Sequence, residues 1–127
     1  MPALGVETIA MAEAFTILFV DDDELVRAPL AALLTLHGMR VLTAVSAIEA
    51  MRVLALERVD VLFTDIVMPG IDGAEVVERL MPLRPQMKII FMSGYPGRVP
   101  LHPASVAYLQ KPFTRAKLIE VLRQVME

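Results

Sequence analysis

Five polar side chains, each at or just after the end of a short apolar segment, are the groups of this chain that could do chemistry together. They are Asp21 and Asp22 after TILFV, Asp65 at the end of DVLFTD, Ser93 at the end of KIIFMS, and Lys111 after VAYLQ. Converging carboxylates repel one another, so they must take up protons or hold a cation. Oxygen ligands in an incomplete protein cage favour Mg²⁺, which keeps several waters. Beside such an ion a carboxylate can attack phosphorus while a lysine and a hydroxyl neutralise charge, and we assign the attack to Asp65.

The apolar segments alternate with amphipathic ones, which is typical of an α/β protein. Gly38 stops the first amphipathic segment, and Pro29 within it predicts a bend. Ser46 and Glu49 have the spacing of a capping box, and Thr114 is the expected N-cap of the last helix. The patterns predict strands over residues 16–20, 40–44, 60–65, 88–93 and 106–110, and helices over 24–38, 46–59, 74–83 and 114–127.

This alternation predicts a mostly parallel, doubly wound five-stranded sheet with helices on both faces. Ligands of such sheets bind beyond the carboxyl ends of the strands, which is where all five polar residues fall. Three prolines in the stretch GYPGRVPLHPAS predict that a fourth helix there is short or absent.

The whole chain limits the classes of function. Its 127 residues fit one domain. The start has no clear period, so we interpret residues 1–15 as a flexible extension, with Met11 as an alternative first residue. No apolar run approaches the ~20 residues of a membrane span, and the start lacks the basic residues of a secretory signal, so we expect a cytoplasmic protein without membrane insertion.

The absence of cysteine excludes disulfides and thiolate chemistry. The formal charge of −3 without a basic run argues against direct nucleic acid binding.

Four strings in order, ILFVDDDELVR, TDIVMPGIDG, FMSGY and QKPF, resemble the motifs of response-regulator receiver domains of two-component signalling. The resemblance runs from about Thr16 to the C-terminus and identifies residues 16–127 as the receiver domain. It implies a chemotaxis-regulator-like fold with the flavodoxin-like strand order 2-1-3-4-5. FMSGY and QKPF are also similar to receivers of hybrid histidine kinases.

The resemblance assigns a role to each site residue. Asp65 is the phosphoacceptor and a metal ligand, Asp22 binds Mg²⁺ directly, and Asp21 binds it through water. The backbone carbonyl of Val67 completes the protein ligands. Ser93 hydrogen-bonds the phosphoryl group, and Lys111 pairs with it. The resemblance also implies that the peptide bond from Lys111 to Pro112 is cis. Ser93 and Tyr108 form the conformational switch, and Val67 and Tyr95 tune the lifetime of the aspartyl phosphate.

The implied partners are proteins. A histidine kinase or a histidine phosphotransfer protein would donate the phosphoryl group, a downstream protein would read the modified surface, and a weak homodimer is a further option of the family. Such a domain is an enzyme only in the sense that it catalyses its own phosphorylation and dephosphorylation. The interval between Ser93 and Lys111 is shorter than usual for the family, which predicts a reshaped output surface.

Two other functions compete with this one. A Mg²⁺-dependent phosphohydrolase would use Asp21 as its nucleophile and Asp23 as a general acid, although Asp23 is more simply an N-cap. A non-phosphorylated interaction module would keep only the fold. Two histidines, His37 and His102, have no partner at ligand spacing and are expected on the solvated surface.

Overall fold

The computed structural model describes residues 15–65, 77–79, 82, 84, 86–94 and 105–126, without the side chains of residues 93, 105, 106 and 126. The described residues form one five-stranded sheet of order β2-β1-β3-β4-β5 in which every neighbouring pair is parallel. The predicted fold class and strand order are therefore confirmed. The strands are β1 (Thr16–Val20), β2 (Arg40–Ala44), β3 (Val61–Asp65), β4 (Lys88–Ser93) and β5 (Ser105–Gln110).

Three helices are described in full: α1 (Glu24–Leu36), α2 (Ala47–Leu56) and α3 (Arg115–Met126). Each begins after a predicted cap. Asp23 Oδ1 accepts the amide of Leu25 at 2.9 Å, Ser46 Oγ accepts that of Glu49 at 3.2 Å, and Thr114 Oγ1 accepts that of Lys117 at 3.1 Å. These bonds satisfy amides that have no partner within the helix.

The first helix ends where the sequence indicates. Gly38 has a φ of 87°, a left-handed conformation that glycine adopts without a Cβ clash, and its amide bonds to the carbonyl of Thr35. The helix also continues through Pro29, although proline cannot donate a hydrogen bond to the carbonyl of Leu25. None of the described helices has the length and apolar character needed to cross a membrane.

Three predictions fall outside the described residues and stay predictions. They are the flexible extension at the start of the chain, the short or absent helix before β5, and most of the helix over 74–83, of which residues 77–79 are helical.

The sheet is buried on both faces because alternate residues of each strand point in opposite directions. In β1, Ile17 and Phe19 pack with residues of α1 and α3, whereas Leu18 and Val20 pack with residues of α2. All four of these residues are at most 1% exposed. The carboxyl ends of the strands are therefore held by a core on either side.

Aromatic rings connect this core to the loop after β5. Phe19 and Phe63 stack with ring centroids 5.0 Å apart, and Phe113 lies against Phe63 at 6.3 Å. Phe113 follows Lys111 and Pro112, whose peptide bond is cis as the resemblance implies.

The prediction for His37 was wrong. Its side chain is 8% exposed, and its Nδ1 is buried without a hydrogen-bond partner within the described structure. Its amide donates to the carbonyls of Leu33 and Leu34, so the residue caps α1. The spacing of three and four residues from these two buried leucines places His37 on the core face of the helix. His102 lies outside the described residues.

Candidate acidic metal site

The site lies at the carboxyl ends of β1 and β3, which are adjacent in the sheet. Val20 is paired with Thr64, so the residues that follow them, Asp21 and Asp65, emerge side by side. A ligand oxygen from each of these two carboxylates and one from Asp22 lie within 4.8 Å of one another. The structure thus brings together the three carboxylates that the sequence predicts to meet.

Asp21 is fully buried, and the protein uses every polar atom that it has. Its amide donates to the carbonyl of Ala44 at 3.2 Å, and its carbonyl accepts Arg27 Nη1 at 2.8 Å. Its Oδ1 accepts the amide of Asp23 at 2.9 Å, and its Oδ2 accepts Lys111 Nζ at 2.7 Å. The carboxylate of Asp21 therefore holds the Asp23 amide and Lys111 in place, and it has little freedom to attack a substrate.

The other two carboxylates differ from Asp21 in exposure. Asp22 is exposed to solvent, whereas Asp65 is 8% exposed. A directly bound ion can therefore approach Asp22, and a reactant can approach Asp65 from the same side. The buried hydroxyl of Thr64 donates to the carbonyl of Asp65 at 3.0 Å and helps to fix the acceptor's backbone.

Lys111 places a cation between the two less exposed carboxylates. Its Nζ lies 2.7 Å from Asp21 Oδ2 and 2.7 Å from Asp65 Oδ2. Burial by itself lowers the pKa of Lys111, but its hydrogen bonds to these two residues and their negative charges outweigh burial and raise that pKa. Lys111 is therefore a cation throughout the physiological range.

The donor set fits a hard divalent cation. In their ionised forms the three carboxylates carry three negative charges, and Lys111 offsets one of them. The two charges that remain match one Mg²⁺, whose preferred ligands in proteins are carboxylate oxygens and water. The predicted magnesium site is therefore consistent with the chemistry of the residues that the fold assembles.

The remaining predicted site residues are described only in part. Ser93 ends β4 opposite Gln110, next to the strand that carries Asp65, but its side chain lies outside the described structure. Val67 and Tyr95 also lie outside it. Tyr108 is partly buried and packs on the α2 side of the sheet, and its hydroxyl is buried without a hydrogen-bond partner among the described groups.

Two features of the site were not predicted from the sequence. The first is the bond from Arg27 to the carbonyl of Asp21. The second is an apolar groove of about 560 Å³ beside Lys111, between α1 and the loop after β5. Its lining consists of Leu25, Val26, Pro29, Leu30, Gly94, Lys111, Pro112 and Phe113.

Comparison with known proteins gives the same family by sequence and by structure. The family model described as "Response regulator receiver domain" matches residues 17–123. Over 118 residues the chain is 31% identical to the sensor kinase CckA of Brucella abortus, an alignment that covers 88% of this chain and 12% of the kinase. The chain also matches two transcriptional regulators, and the alignments cover 26% and 24% of their respective lengths.

Solved structures superpose on most of the chain. A CheY-like receiver domain protein from Methanospirillum hungatei is 29% identical with a TM-score of 0.80, covering 87% of this chain and 91% of that one. The response regulator TrrA from Thermotoga maritima, solved in complex with Mg²⁺ and BeF, is 31% identical with a TM-score of 0.80, covering 87% of this chain and 98% of that one. The receiver domain of the hybrid histidine kinase CckA is 32% identical with a TM-score of 0.76, covering 88% of this chain and 99% of that one, so the predicted similarity to such receivers is confirmed. Transcriptional regulators also occur among the relatives, so membership in the hybrid-kinase subtype stays a prediction.

Proposed function

Because this chain belongs to the family of response regulator receiver domains, we propose that it is a phosphorelay receiver in which Asp65 accepts a phosphoryl group from a phosphohistidine. The observation that carries the proposal is the position of Lys111, whose Nζ bridges Asp21 and Asp65 at 2.7 Å beside the exposed Asp22. A nucleophilic carboxylate, a fixed cation and an open metal-binding face are what phosphoryl transfer requires.

In the proposed reaction a carboxylate oxygen of Asp65 forms a bond to phosphorus as the bond from phosphorus to the donor's imidazole nitrogen breaks. The electron pair of the broken bond stays on the imidazole, which is released as a neutral side chain after taking up a proton. Lys111 already holds the carboxylate of Asp65, so it is placed to follow the negative charge as this moves onto the phosphoryl oxygens. Ser93, at the end of the neighbouring strand, would hydrogen-bond the same group.

Magnesium would be held by the three carboxylates in unequal ways. Asp22 would be the exposed direct ligand, Asp65 a less exposed one, and the buried Asp21 would act through water. We assign the backbone carbonyl of Val67 to the same site from the family resemblance. When bound, the ion supplies compensation for negative charge that accumulates on the transferred group.

Signalling would follow from a shift of the domain toward an active surface once Asp65 is modified. Ser93 and Tyr108 are the proposed switch residues. The support from the structure is that the Tyr108 hydroxyl is buried without a hydrogen-bond partner among the described groups, so rotation of the ring breaks no bond to them.

The proposed partners are a histidine kinase or a histidine phosphotransfer protein as donor and a second protein as reader, in the cytoplasm. The apolar groove between α1 and the loop after β5 borders Lys111, so a donor that inserts an apolar side chain there would be held next to the acceptor. We propose no direct contact with nucleic acid. A weak homodimer is a further interaction that the family resemblance implies. The domain would be an enzyme only toward its own phosphorylation.

The structure argues against the phosphohydrolase alternative. Asp21, which would be its nucleophile, is fully buried with both carboxylate oxygens occupied. Asp23, which would be its general acid, serves as the N-cap of α1. The interaction-module alternative keeps the fold but gives no reason for three carboxylates and a lysine to converge.

The decisive experiment is incubation with acetyl phosphate and Mg²⁺, followed by intact-mass measurement. We expect one added phosphoryl group on the wild type and none on Asp65→Asn. Asp23→Asn is the matched control, because asparagine caps a helix as well as aspartate does, and it should be modified like the wild type. An unmodified wild type would favour the interaction module, whereas ester hydrolysis that survives Asp65→Asn but not Asp21→Asn would favour the phosphohydrolase.

A further inference from the structure

The exposed ligand Asp22 has its backbone held on both sides, although its side chain is open to solvent. The carbonyl of Asp21 belongs to the planar peptide unit that enters Asp22, and it accepts Arg27 Nη1 at 2.8 Å. The amide of Asp23 belongs to the peptide unit that leaves Asp22, and it donates to Asp21 Oδ1 at 2.9 Å. Fixing both units fixes the backbone dihedrals of Asp22 and hence the direction of the Cα–Cβ bond from which its carboxylate extends.

We propose that Arg27 is a positioning residue for Mg²⁺, which acts by holding the peptide unit between Asp21 and Asp22. Arg27 lies one turn into α1, and its own amide donates to the carbonyl of Asp23 at 2.9 Å. Its side chain and backbone therefore fasten the acidic turn to the start of the helix at two points. The guanidinium gives the stronger bond because a charged donor exceeds a neutral one.

This arrangement prepares a ligand before the ion arrives. An exposed aspartate on an unrestrained turn would have to be ordered when the ion binds, and that ordering weakens binding. Arg27 removes most of this cost in advance, because Asp22 keeps one backbone conformation while its carboxylate stays accessible. The inference rests on the proposed magnesium site.

Removal of the Arg27 guanidinium should change Mg²⁺ affinity in opposite directions, depending on whether Arg27 acts through its charge or by positioning Asp22. By Coulomb's law alone, the loss of a positive charge near the site strengthens the binding of a cation. A loss of positioning weakens it. The sign of the change in Mg²⁺ affinity therefore separates the two roles.

The test is an NMR titration of amide shifts with Mg²⁺, which reports the affinity of folded molecules only. The variants are Arg27→Met, which keeps the aliphatic stem, Arg27→Lys, which keeps one charged donor, and Arg52→Met, which removes the same charge from an exposed position of α2. We expect Arg27→Met to weaken binding about tenfold, as is usual for a group that orients a ligand, and Arg27→Lys to recover part of the loss. Arg52→Met should bind as the wild type does.

A second measurement needs no metal. Hydrogen exchange of the Asp23 amide in the metal-free protein should be faster in Arg27→Met than in Arg52→Met, because the acidic turn has lost one of its anchors. Unfolding in urea gives the stability of each variant, and a variant that is only less stable would keep its Mg²⁺ affinity, which would overturn the inference.

The outcomes distinguish this inference from the proposed function. A wild type that does not bind Mg²⁺ at all contradicts the proposed function. A wild type that binds it, together with Arg27→Met that binds equally well or more tightly, contradicts the positioning role and leaves the proposed function intact. If Arg27→Met does not fold, Arg27→Gln is measured in its place against the same criterion.

Discussion

Lys111 donates a hydrogen bond of 2.7 Å to the buried carboxylate of Asp21, although 90 positions separate the two residues in the sequence. The same ammonium group bonds to Asp65 at the same distance. One cation thus joins the first strand, the central strand and the loop after the last strand. It serves the stability of the fold and the proposed chemistry at once.

Replacement of Lys111 by methionine should therefore destabilise the metal-free protein. The change leaves the Asp21 carboxylate buried without its cation and next to a second carboxylate. We expect a loss of about 3 kcal/mol in the free energy of unfolding, at the low end for breaking a buried ion pair because a fifth of the lysine side chain is exposed. Urea denaturation by circular dichroism measures it.

The matched control is Lys117→Met. Lys117 lies 3.9 Å from Glu120 in an exposed pair on α3, so its loss should change stability by no more than about 1 kcal/mol. Equal effects of the two substitutions would contradict a structural role for the Lys111 bridge. Mg²⁺ should restore part of the stability of Lys111→Met by replacing the missing positive charge.

The contribution of Lys111 should also depend on pH in one direction. Burial lowers its pKa, but the hydrogen bonds and charges of Asp21 and Asp65 raise it above the ordinary 10.5. Because the folded-state pKa is the higher one, the ammonium stabilises the fold fully below pH 10.5, and this is lost as pH rises through the folded-state value. The difference in unfolding free energy between the wild type and Lys111→Met should be larger at about pH 9 than at about pH 11. A difference that grows with pH would refute the bridge.

Mg²⁺ should stabilise the protein through Asp22. At ten times its dissociation constant a ligand adds about 1.4 kcal/mol, which for a domain of this size raises the melting temperature by roughly 4 to 7 °C. Asp22→Asn should remain folded, since the side chain is exposed, and should lose this response. Scanning calorimetry with NaCl at matched ionic strength as the control gives the answer, and an equal Mg²⁺ response in Asp22→Asn would exclude it as a ligand.

Pro29→Ala should raise stability. The substitution supplies an amide that can donate to the carbonyl of Leu25, and Pro29 is exposed, so little packing is lost. We expect a gain of about 1 to 3 kcal/mol from the relief of a proline within a helix. Thermal melting checks the direction, and a lower melting temperature for Pro29→Ala would contradict the prediction.

The aspartyl phosphate should be long-lived. The family resemblance assigns control of the attacking water to Val67 and Tyr95, and neither side chain is well suited to orient water. Radiolabel on Asp65 should therefore persist for minutes or longer at neutral pH, and Val67→Asn should shorten its lifetime. Loss of label from the wild type within seconds would contradict this prediction.

Much of this architecture could be predicted because strand periodicity and strand ends carry the information. Asp21, Asp22, Asp65 and Lys111 each adjoin an apolar strand, and parallel strands bring their carboxyl ends to one edge. The caps Asp23, Ser46 and Thr114 were equally accessible, because a cap depends on residues three or fewer positions away.

Other features have no counterpart in a linear pattern. Arg27 bonds to a backbone carbonyl, a group that every residue has, so its side chain gives no hint of its partner. Asp21 and Asp22 are identical in type, and only packing shows that one is buried and the other exposed. The burial of His37 could have been found, since its spacing from Leu33 and Leu34 matches the helical repeat.

The aromatic contacts of Phe113 connect the position of Lys111 to the packing of the protein interior. Phe113 rests on Phe63, which stacks on Phe19, and it is two residues from Lys111. A substitution that reshapes either interior ring would shift the segment on which the ammonium is mounted. Substitutions that impair signalling should accordingly include changes at Phe19 and Phe63, although neither residue is exposed to solvent.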